Sequence, residues 1–246
     1  MIKINICIDA GHCKFTPGKR AFDGSFFEWE FNHDVACRIK GHLDRHGVKS
    51  YVQYVENANP KTELNARISA INKTKPDFVV SIHANAAGTT WNEASGWEIY
   101  CSAPTDSNSK GTMLAKLIEK NSKVLGLKDR GIKDAHGVAG IVVSTTPPAV
   151  LIEHGFYTNQ SELVKLKANN FREECAICDA KGILEYLGIA WKEESKMPET
   201  KKAHWAKPYL DSLVKKGIIN NPEEHKDLDA PITKGQLFAL LDRITK

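Results

Sequence analysis

The stretch I-K-I-N-I-C-I-D-A-G-H, residues 2–12, places an isoleucine at every second position as far as residue 8 and then breaks at Ala10-Gly11. This alternation predicts a strand over residues 2–9. Apolar side chains at helical spacing follow over residues 27–46 and stop before Gly47, which predicts a helix. A strand followed by a helix in this order indicates the first unit of an α/β layer fold.

The alternation of strands and helices continues to residue 189. We predict further strands over residues 48–55, 77–83, 96–101 and 148–153, and further helices over residues 60–72, 108–125, 161–167 and 171–187. This order predicts a mixed, largely parallel twisted sheet that is flanked by helices.

The composition changes after residue 189. Residues 190–203 are highly charged, contain Pro198 and show no periodicity, as is typical of a linker. Residues 204–246 predict two helices, the second opening with a capping box formed by Thr233 and Gln236. We therefore expect a large domain over residues 1–189 and a small all-α module over residues 204–246.

Composition and charge exclude several classes of protein. The 246 residues are 41% hydrophobic and carry a formal charge of +4, which excludes a disordered, collagen-like or coiled-coil chain. No apolar run approaches the roughly 20 residues of a membrane span, so we predict no membrane insertion. Basic residues form no stripe with aromatic residues, so we predict no nucleic-acid binding. Asp9 comes before any hydrophobic region of ~7–15 residues, so we expect cytoplasmic synthesis without a signal peptide.

The six cysteines are scattered, which argues against a disulfide framework. Cys175 and Cys178 form the only closely spaced pair, and they lie in a predicted helix with no second pair nearby. We predict that they pack as thiols and bind no metal.

Polar side chains occur where three predicted strands end: residues 9–12, 81–85 and 151–156. Ligands of open α/β sheets bind in the crevice beyond these strand ends, and Glu28 at the start of the first helix can face the same crevice. Two imidazoles and one carboxylate suit Zn²⁺, and a second carboxylate can act as general base. Spacing alone does not decide which of the nine histidines take part.

Seven segments occur in a diagnostic order. They are Asp9-x-Gly11-His12, Glu28-x-x-x-Asn32, Leu64-x-x-Arg67, Ser81-Ile82-His83-Ala84-Asn85, Gly96-Trp97-Glu98-Ile99-Tyr100, Arg130-Gly131 and the stretch from Pro148 to Asn159. As an ordered set, they resemble the zinc-dependent N-acetylmuramoyl-L-alanine amidases of the amidase-3 type. The resemblance covers residues 1 to about 189.

The resemblance implies that His12, Glu28 and His83 bind one Zn²⁺ and that Glu153 is the catalytic carboxylate. It implies hydrolysis of the peptidoglycan amide between the lactyl group of N-acetylmuramic acid and L-alanine. We also name Asn85 and Arg67 as candidate substrate-binding residues, with capping of a turn and solvation of a helix as their alternatives. Two other functions stay open: a zinc exopeptidase or amidohydrolase acting on soluble peptides, and a non-catalytic wall-binding protein.

Two choices within this set depend on geometry. Glu30 is the rival of Glu28, because residues two apart on a helix point roughly 200° apart and only one can face the metal. Counted to the helix-ending Gly47, Glu28 fits the register that the resemblance implies better than Glu30 does. Strand alternation turns His154 away from the face of Glu153, and His136 is predicted to be a solvated loop residue.

The tail resembles a single S-layer-homology module, through residues 204–210, 217–219 and 231–236. The resemblance implies binding to peptidoglycan or a secondary cell-wall polymer, with Trp205, Tyr209, Thr233 and Lys234 as candidate contacts. The alternative is a helical pair that docks on the catalytic domain or dimerises; the oligomeric state stays open. The whole chain resembles a phage or prophage endolysin that needs a holin for release, or a host autolysin that reaches the wall after cell lysis.

Overall fold

The computed structural model describes residues 4–193 and 207–219. The chain divides into two compact units, Met1–Lys192 and Glu193–Lys246. The elements of the first unit are β1 (Asn5–Ala10), α1 (Glu28–Arg45), β2 (Lys49–Gln53), α2 (Glu63–Thr74), β3 (Phe78–Asn85), β4 (Trp97–Cys101), α3 (Lys110–Ser122), β5 (Asp129–Asp134), α4 (Gly140–Ser144), β6 (Ala149–Phe156), α5 (Gln160–Lys167) and α6 (Asn169–Tyr186). The second unit contains α7 (Lys207–Lys215).

The strands form one six-stranded sheet in the order β2-β1-β3-β6-β4-β5. Neighbouring strands are parallel except β4 and β6, which are antiparallel. The prediction of a mixed, largely parallel sheet flanked by helices is confirmed. Because β1, β3 and β6 are adjacent and parallel, the polar segments that follow them meet at one edge of the sheet.

Helices cover both faces of the sheet. The isoleucines of β1 point to a core that includes α1, α3 and α6, while Cys7 points to a second core that includes Ile71 of α2 and Ile141 of α4. In α1 large apolar side chains that are fully buried recur every fourth residue, at Phe31, Val35, Ile39 and Leu43. This spacing forms the apolar stripe that holds the helix on the sheet.

The sequence did not predict β5 or α4. The strand β5 reads D-R-G-I-K-D and, within the described residues, lies at the sheet edge and pairs with β4 alone, so it needs no apolar alternation. The helix α4 has only five residues, two of them valines, which are poor helix formers. The last predicted strand, 148–153, was too short, because β6 continues to Phe156.

All six cysteines are free, and Cys175 and Cys178 are buried within α6. Their predicted role as packing thiols is confirmed. Among the helices of residues 4–193 and 207–219, none is long and apolar enough to cross a bilayer.

The described part of the second unit is α7 and the turn after it, where Gly217 has a φ of 70°. This ending agrees with the predicted helix stop at Gly217. The proposed wall contacts Trp205, Thr233 and Lys234 lie outside the described residues, as does the side chain of Tyr209.

Candidate metal centre

The site is built on one row of residues across the sheet. His83 of β3 pairs in register with Glu153 of β6, and Glu98 of β4 pairs with Glu153 from the other side. Side chains of register partners point to the same face of a sheet, so the imidazole and both carboxylates share one face. This is the face that α2 and α4 cover.

His12 reaches this row through a sharp change in the backbone after β1. The N–H of Gly11 donates to the carbonyl of Ile82 at 3.1 Å, which extends the pairing of β1 with β3. His12 then adopts a φ of 63°, a left-handed conformation that costs energy for a residue with a Cβ. This conformation directs the imidazole toward the start of α1, where its Nε2 lies 3.3 Å from Oε1 of Glu28.

Glu28 is the first residue of α1 and is fully buried between the two histidines. Its Oε1 lies 2.9 Å from Nδ1 of His83. Candidate ligand atoms of His12, Glu28 and His83 all lie within 4.8 Å of one another. Glu30 is exposed, so the structure brings Glu28, and not Glu30, to the histidines.

The helix start is fastened to the histidine segment by Asn32, one turn beyond Glu28. Its buried side-chain amide donates to the carbonyl of Gly11 at 3.1 Å. Residues four apart on a helix share a face, so this bond and the Glu28 carboxylate act on the same side of α1. The Glu28-x-x-x-Asn32 segment therefore sets the position of the carboxylate relative to His12.

The buried surroundings set the charges of the three side chains. Burial lowers the pKa of His83 to about 4. Burial alone would raise the pKa of Glu28, but contacts with His12 and His83 hold it well below its usual range. Burial opposes protonation of His12, but the charge of Glu28 together with side-chain contacts to Glu28 and Glu63 outweighs it and raises the His12 pKa. An anionic carboxylate and a neutral imidazole are the forms that bind a metal ion.

Several buried polar atoms of the site have no hydrogen-bond partner among the described residues. They are Nδ1 and Nε2 of His12, Oε2 of Glu28, Nε2 of His83 and Oε2 of Glu153. Such atoms are rare in folded proteins unless water, a ligand or an ion satisfies them. Two imidazoles and a carboxylate are a donor set typical of Zn²⁺ with an open coordination position. The residues present therefore fit zinc.

Glu153 differs from Glu28 in its protonation. Burial, followed by the negative charge of Glu28, raises the pKa of Glu153 well above its usual range. Two carboxylates in neighbouring environments that push their pKa values apart are a recurrent arrangement for proton transfer. Glu28 stays anionic, whereas burial and the charge of Glu28 favour the protonated form of Glu153.

Glu98, on the other side of Glu153, holds a cluster of polar side chains. Its Oε1 accepts hydrogen bonds from Asn85 Nδ2 and the Tyr100 hydroxyl, each at 2.8 Å. Its Oε2 accepts from Arg130 Nε at 2.6 Å and from Lys133. Burial would raise the pKa of Glu98, but hydrogen bonds from Lys133, Arg130 and Tyr100 hold it at about 2. The side-chain amide of the candidate substrate contact Asn85 is thus bound to Glu98.

Arg67 is not on a solvated helix face, so that alternative was wrong. Its side chain is 2% exposed, and its guanidinium donates to Asp9 at 2.5 Å and to Glu63 at 2.9 Å. The hydroxyl of Ser81 donates to the same oxygen of Asp9 at 2.6 Å. This burial favours a role in supporting the site over direct contact with a substrate.

The remaining histidines of the sequence predictions lie away from the cluster. His154 is fully buried on the opposite face of β6, where its Nε2 lies 2.9 Å from Oδ2 of Asp179. His136 is exposed, as predicted for a solvated loop residue. Asn159 caps α5, since its side-chain oxygen accepts from the N–H groups of Ser161 and Glu162.

A family model described as N-acetylmuramoyl-L-alanine amidase matches residues 6–185. The chain belongs to the N-acetylmuramoyl-L-alanine amidase family. This amidase is 33% identical over 199 residues to the endolysin of Bacillus phage SPP1, a match that covers 79% of the chain and 70% of that protein. It is 27% identical over 181 residues to LytC, an N-acetylmuramoyl-L-alanine amidase of Bacillus subtilis strain 168; this match covers 74% of the chain and 35% of LytC.

Solved structures agree with this assignment. The catalytic domain of CwlV, an N-acetylmuramoyl-L-alanine amidase from Bacillus (Paenibacillus) polymyxa var. colistinus, superposes with a TM-score of 0.66 at 30% identity. The match covers 76% of this amidase and 99% of the CwlV domain. The match therefore spans almost the whole of the CwlV domain.

Sequence reasoning overlooked two charged residues of this amidase that contact the cluster. Oε1 of Glu63 lies 3.4 Å from Nδ1 of His12, and Nζ of Lys19 lies 3.6 Å from Oε2 of Glu28. The spacing of four between Glu63 and Arg67 is a sequence signal for an ion pair on a helix. No comparable signal marks Lys19, which lies in the loop between β1 and α1.

Proposed function

We propose that this chain is a zinc-dependent amidase of peptidoglycan. It hydrolyses the amide between the lactyl group of N-acetylmuramic acid and L-alanine of the stem peptide. The observation that carries the proposal is the convergence of His12, Glu28 and His83 within 4.8 Å, with Glu153 beside His83 in the sheet register. Family membership supplies the substrate class, and the donor set supports zinc as the metal.

His12, Glu28 and His83 would hold the metal, and Glu153 would transfer the protons. Zinc supplies Lewis acidity when bound, polarising a carbonyl oxygen and acidifying water. Glu153 takes a proton from the attacking water at its carboxylate oxygen and later returns it to the departing amine of L-alanine. The two carboxylates thus have different roles: Glu28 stays anionic as a metal ligand, while Glu153 takes up and releases a proton.

The relatives support two biological settings for the proposed enzyme. An endolysin of Bacillus phage SPP1 at 33% identity supports a role in lysis of the bacterial wall, and release through a holin is part of our proposal. A host autolysin that acts on the wall after release has the same catalytic requirements, and LytC of Bacillus subtilis supports that reading. The S-layer-homology-like tail would hold either enzyme on peptidoglycan or on a secondary cell-wall polymer.

The test uses the full chain on purified sacculi. We expect new amino termini on L-alanine with no new reducing sugar ends. We also expect about one zinc per chain, with lysis lost on chelation and regained when zinc is added back. New reducing ends would identify a glycosidase, cleavage of soluble peptides alone would identify an exopeptidase, and lysis that ignores the chelator would overturn the zinc site.

A further inference from the structure

The two ring nitrogens of His12 face two different carboxylates. Nε2 lies 3.3 Å from Oε1 of Glu28, on the side of the proposed metal. Nδ1 lies 3.4 Å from Oε1 of Glu63, on the opposite side of the ring. Histidines that bind a metal through one nitrogen almost always direct the other N–H to a carboxylate, a carbonyl or water. Glu63 lies at that second position, in ion-pair contact with the ring but without a formed hydrogen bond.

Glu63 is itself held in place. Its side chain is only 6% exposed, and its Oε2 accepts a hydrogen bond from Arg67 Nε at 2.9 Å. Arg67 lies four residues later on α2, so helix geometry alone brings the pair together. The remaining oxygen of Glu63 is therefore free to face the imidazole of His12.

Arg67 links Glu63 to the segment that carries His12. Arg67 donates from Nη1 to Asp9, which precedes His12 by three residues and also accepts from the hydroxyl of Ser81. Asp9 and Arg67 are almost fully buried, so water screens their charges little. This network of contacts, Asp9–Arg67–Glu63–His12, thus holds the backbone before His12 and places a carboxylate beside Nδ1 of its ring.

We propose that Glu63 is a positioning residue for the metal centre: it holds His12 with the proton on Nδ1, so that Nε2 is presented to the metal. The inference rests on the proposed function, because it concerns a ligand of the zinc site. Glu63 touches neither the substrate nor the metal in this scheme. Its effect passes through the orientation and basicity of one imidazole.

The test compares Glu63→Gln with Glu30→Gln, which removes the same charge from an exposed position on α1. Zinc affinity is measured on the full chain by competition with a chromophoric chelator. We expect Glu63→Gln to bind zinc about 10- to 100-fold more weakly than wild type, and Glu30→Gln to bind it as wild type does. Unchanged affinity in Glu63→Gln would overturn the inference.

A second measurement separates positioning from a loss of structure. Nitrogen-15 spectra of the zinc-loaded protein report which ring nitrogen of His12 carries the proton. In wild type we expect a slowly exchanging Nδ1–H, and in Glu63→Ala an exposed one that exchanges rapidly. A slowly exchanging Nδ1–H in both proteins would contradict the inference.

Two further controls fix how a negative result is interpreted. Glu63→Asp keeps a carboxylate for Arg67 but shortens the reach toward His12. This variant should therefore fold, and it should bind zinc more weakly than wild type does. A wild-type chain that binds no zinc would refute the proposed function. A wild-type chain that binds zinc, beside a Glu63→Gln variant of equal affinity, would refute only the role of Glu63.

Discussion

The imidazole of His83 lies directly against the backbone of Gly11. A Cβ placed on residue 11 would be 2.2 Å from both Cε1 and Nε2 of that ring, far inside van der Waals contact. The glycine before His12 is therefore required by the neighbouring strand: β1 and β3 approach closely enough that the second histidine fills the space of a side chain at residue 11. One motif thereby positions both histidines.

We expect Gly11→Ala to displace the His83 ring and disable the site. A misplacement of about 1 Å in a catalytic group can cost about 10²-fold in rate, so lysis of sacculi should fall by at least that factor, together with zinc affinity. The matched control is Gly41→Ala in α1, where a Cβ meets nothing within 4 Å. That variant should keep zinc and activity, and a Gly11→Ala protein that also kept both would show that the ring is not constrained there.

Glu153→Gln should abolish turnover while sparing the metal. The amide has nearly the same shape but cannot take a proton from water, so we expect the rate on sacculi to fall by about 10²- to 10⁴-fold. Zinc per chain should be unchanged, because Glu153 is not among the three clustered ligands. The metal-free variant should be at least as stable as wild type, since the substitution removes a buried carboxyl that faces the charge of Glu28. Equal lysis by variant and wild type would show that another group is the base.

Much of the fold follows from the sequence because its central strands are buried on both faces. The strands β1, β3 and β6 are rich in apolar residues and buried along almost their whole length, and α1 carries a clear apolar stripe, so their positions were predicted to within a few residues. The edge strand β5 escaped prediction because its sequence, D-R-G-I-K-D, has no apolar alternation. Its Arg130 and Lys133 instead donate to Glu98 of the neighbouring strand, a tertiary contact that no local pattern reveals. The pattern of apolar residues in a sequence reflects burial, and the residues of β5 are only partly buried.

The candidate site was predictable only in part. Residue types and strand ends indicated a metal site, but the choice of His12 and His83 came from the ordered motifs and not from spacing. The choice between Glu28 and Glu30 is a matter of which side of α1 faces the sheet, and the first turn of the helix decides it. The contact of Glu63 with His12 depends on the tertiary packing of α2 against the end of β1, which no local pattern records.

Glu98 should make the stability of the protein depend on acid. Its folded pKa of about 2 lies below the ordinary glutamate value of about 4.3, so its contribution is complete above that value and is lost as the pH falls toward 2. At neutral pH we expect Glu98→Gln to be about 1–3 kcal/mol less stable, because Arg130 and Lys133 lose their anionic acceptor.

Urea unfolding of both proteins between pH 7 and pH 2 tests this expectation. The difference in free energy of unfolding should stay constant down to about pH 4.5 and then shrink. Acidic groups away from Glu98 titrate alike in both proteins and cancel from the difference, whereas the charge of Glu98 acts on neighbouring Glu153 in wild type only. A difference that does not change with pH would mean that the Glu98 carboxylate gains nothing from its four donors.

The predicted wall contacts of the tail can be tested without removing any part of the chain. We expect Trp205→Ala to weaken binding to sacculi, because an aromatic ring supplies much of the contact area on a polymer surface. Cleavage of a soluble muropeptide should be unchanged, since His12, Glu28, His83 and Glu153 all lie in the first unit. Binding is measured by co-sedimentation with sacculi, using the Glu153→Gln background so that the wall is not digested during the assay.

A second variant, Lys234→Ala, should weaken binding to sacculi more at low salt than at high salt, because salt screens the charge that Lys234 contributes. If both variants sediment with sacculi as fully as their parent, the tail is not a wall anchor, and the predicted helical pair makes another contact. Sedimentation equilibrium of Trp205→Ala would then show whether that contact is with a second copy of the chain.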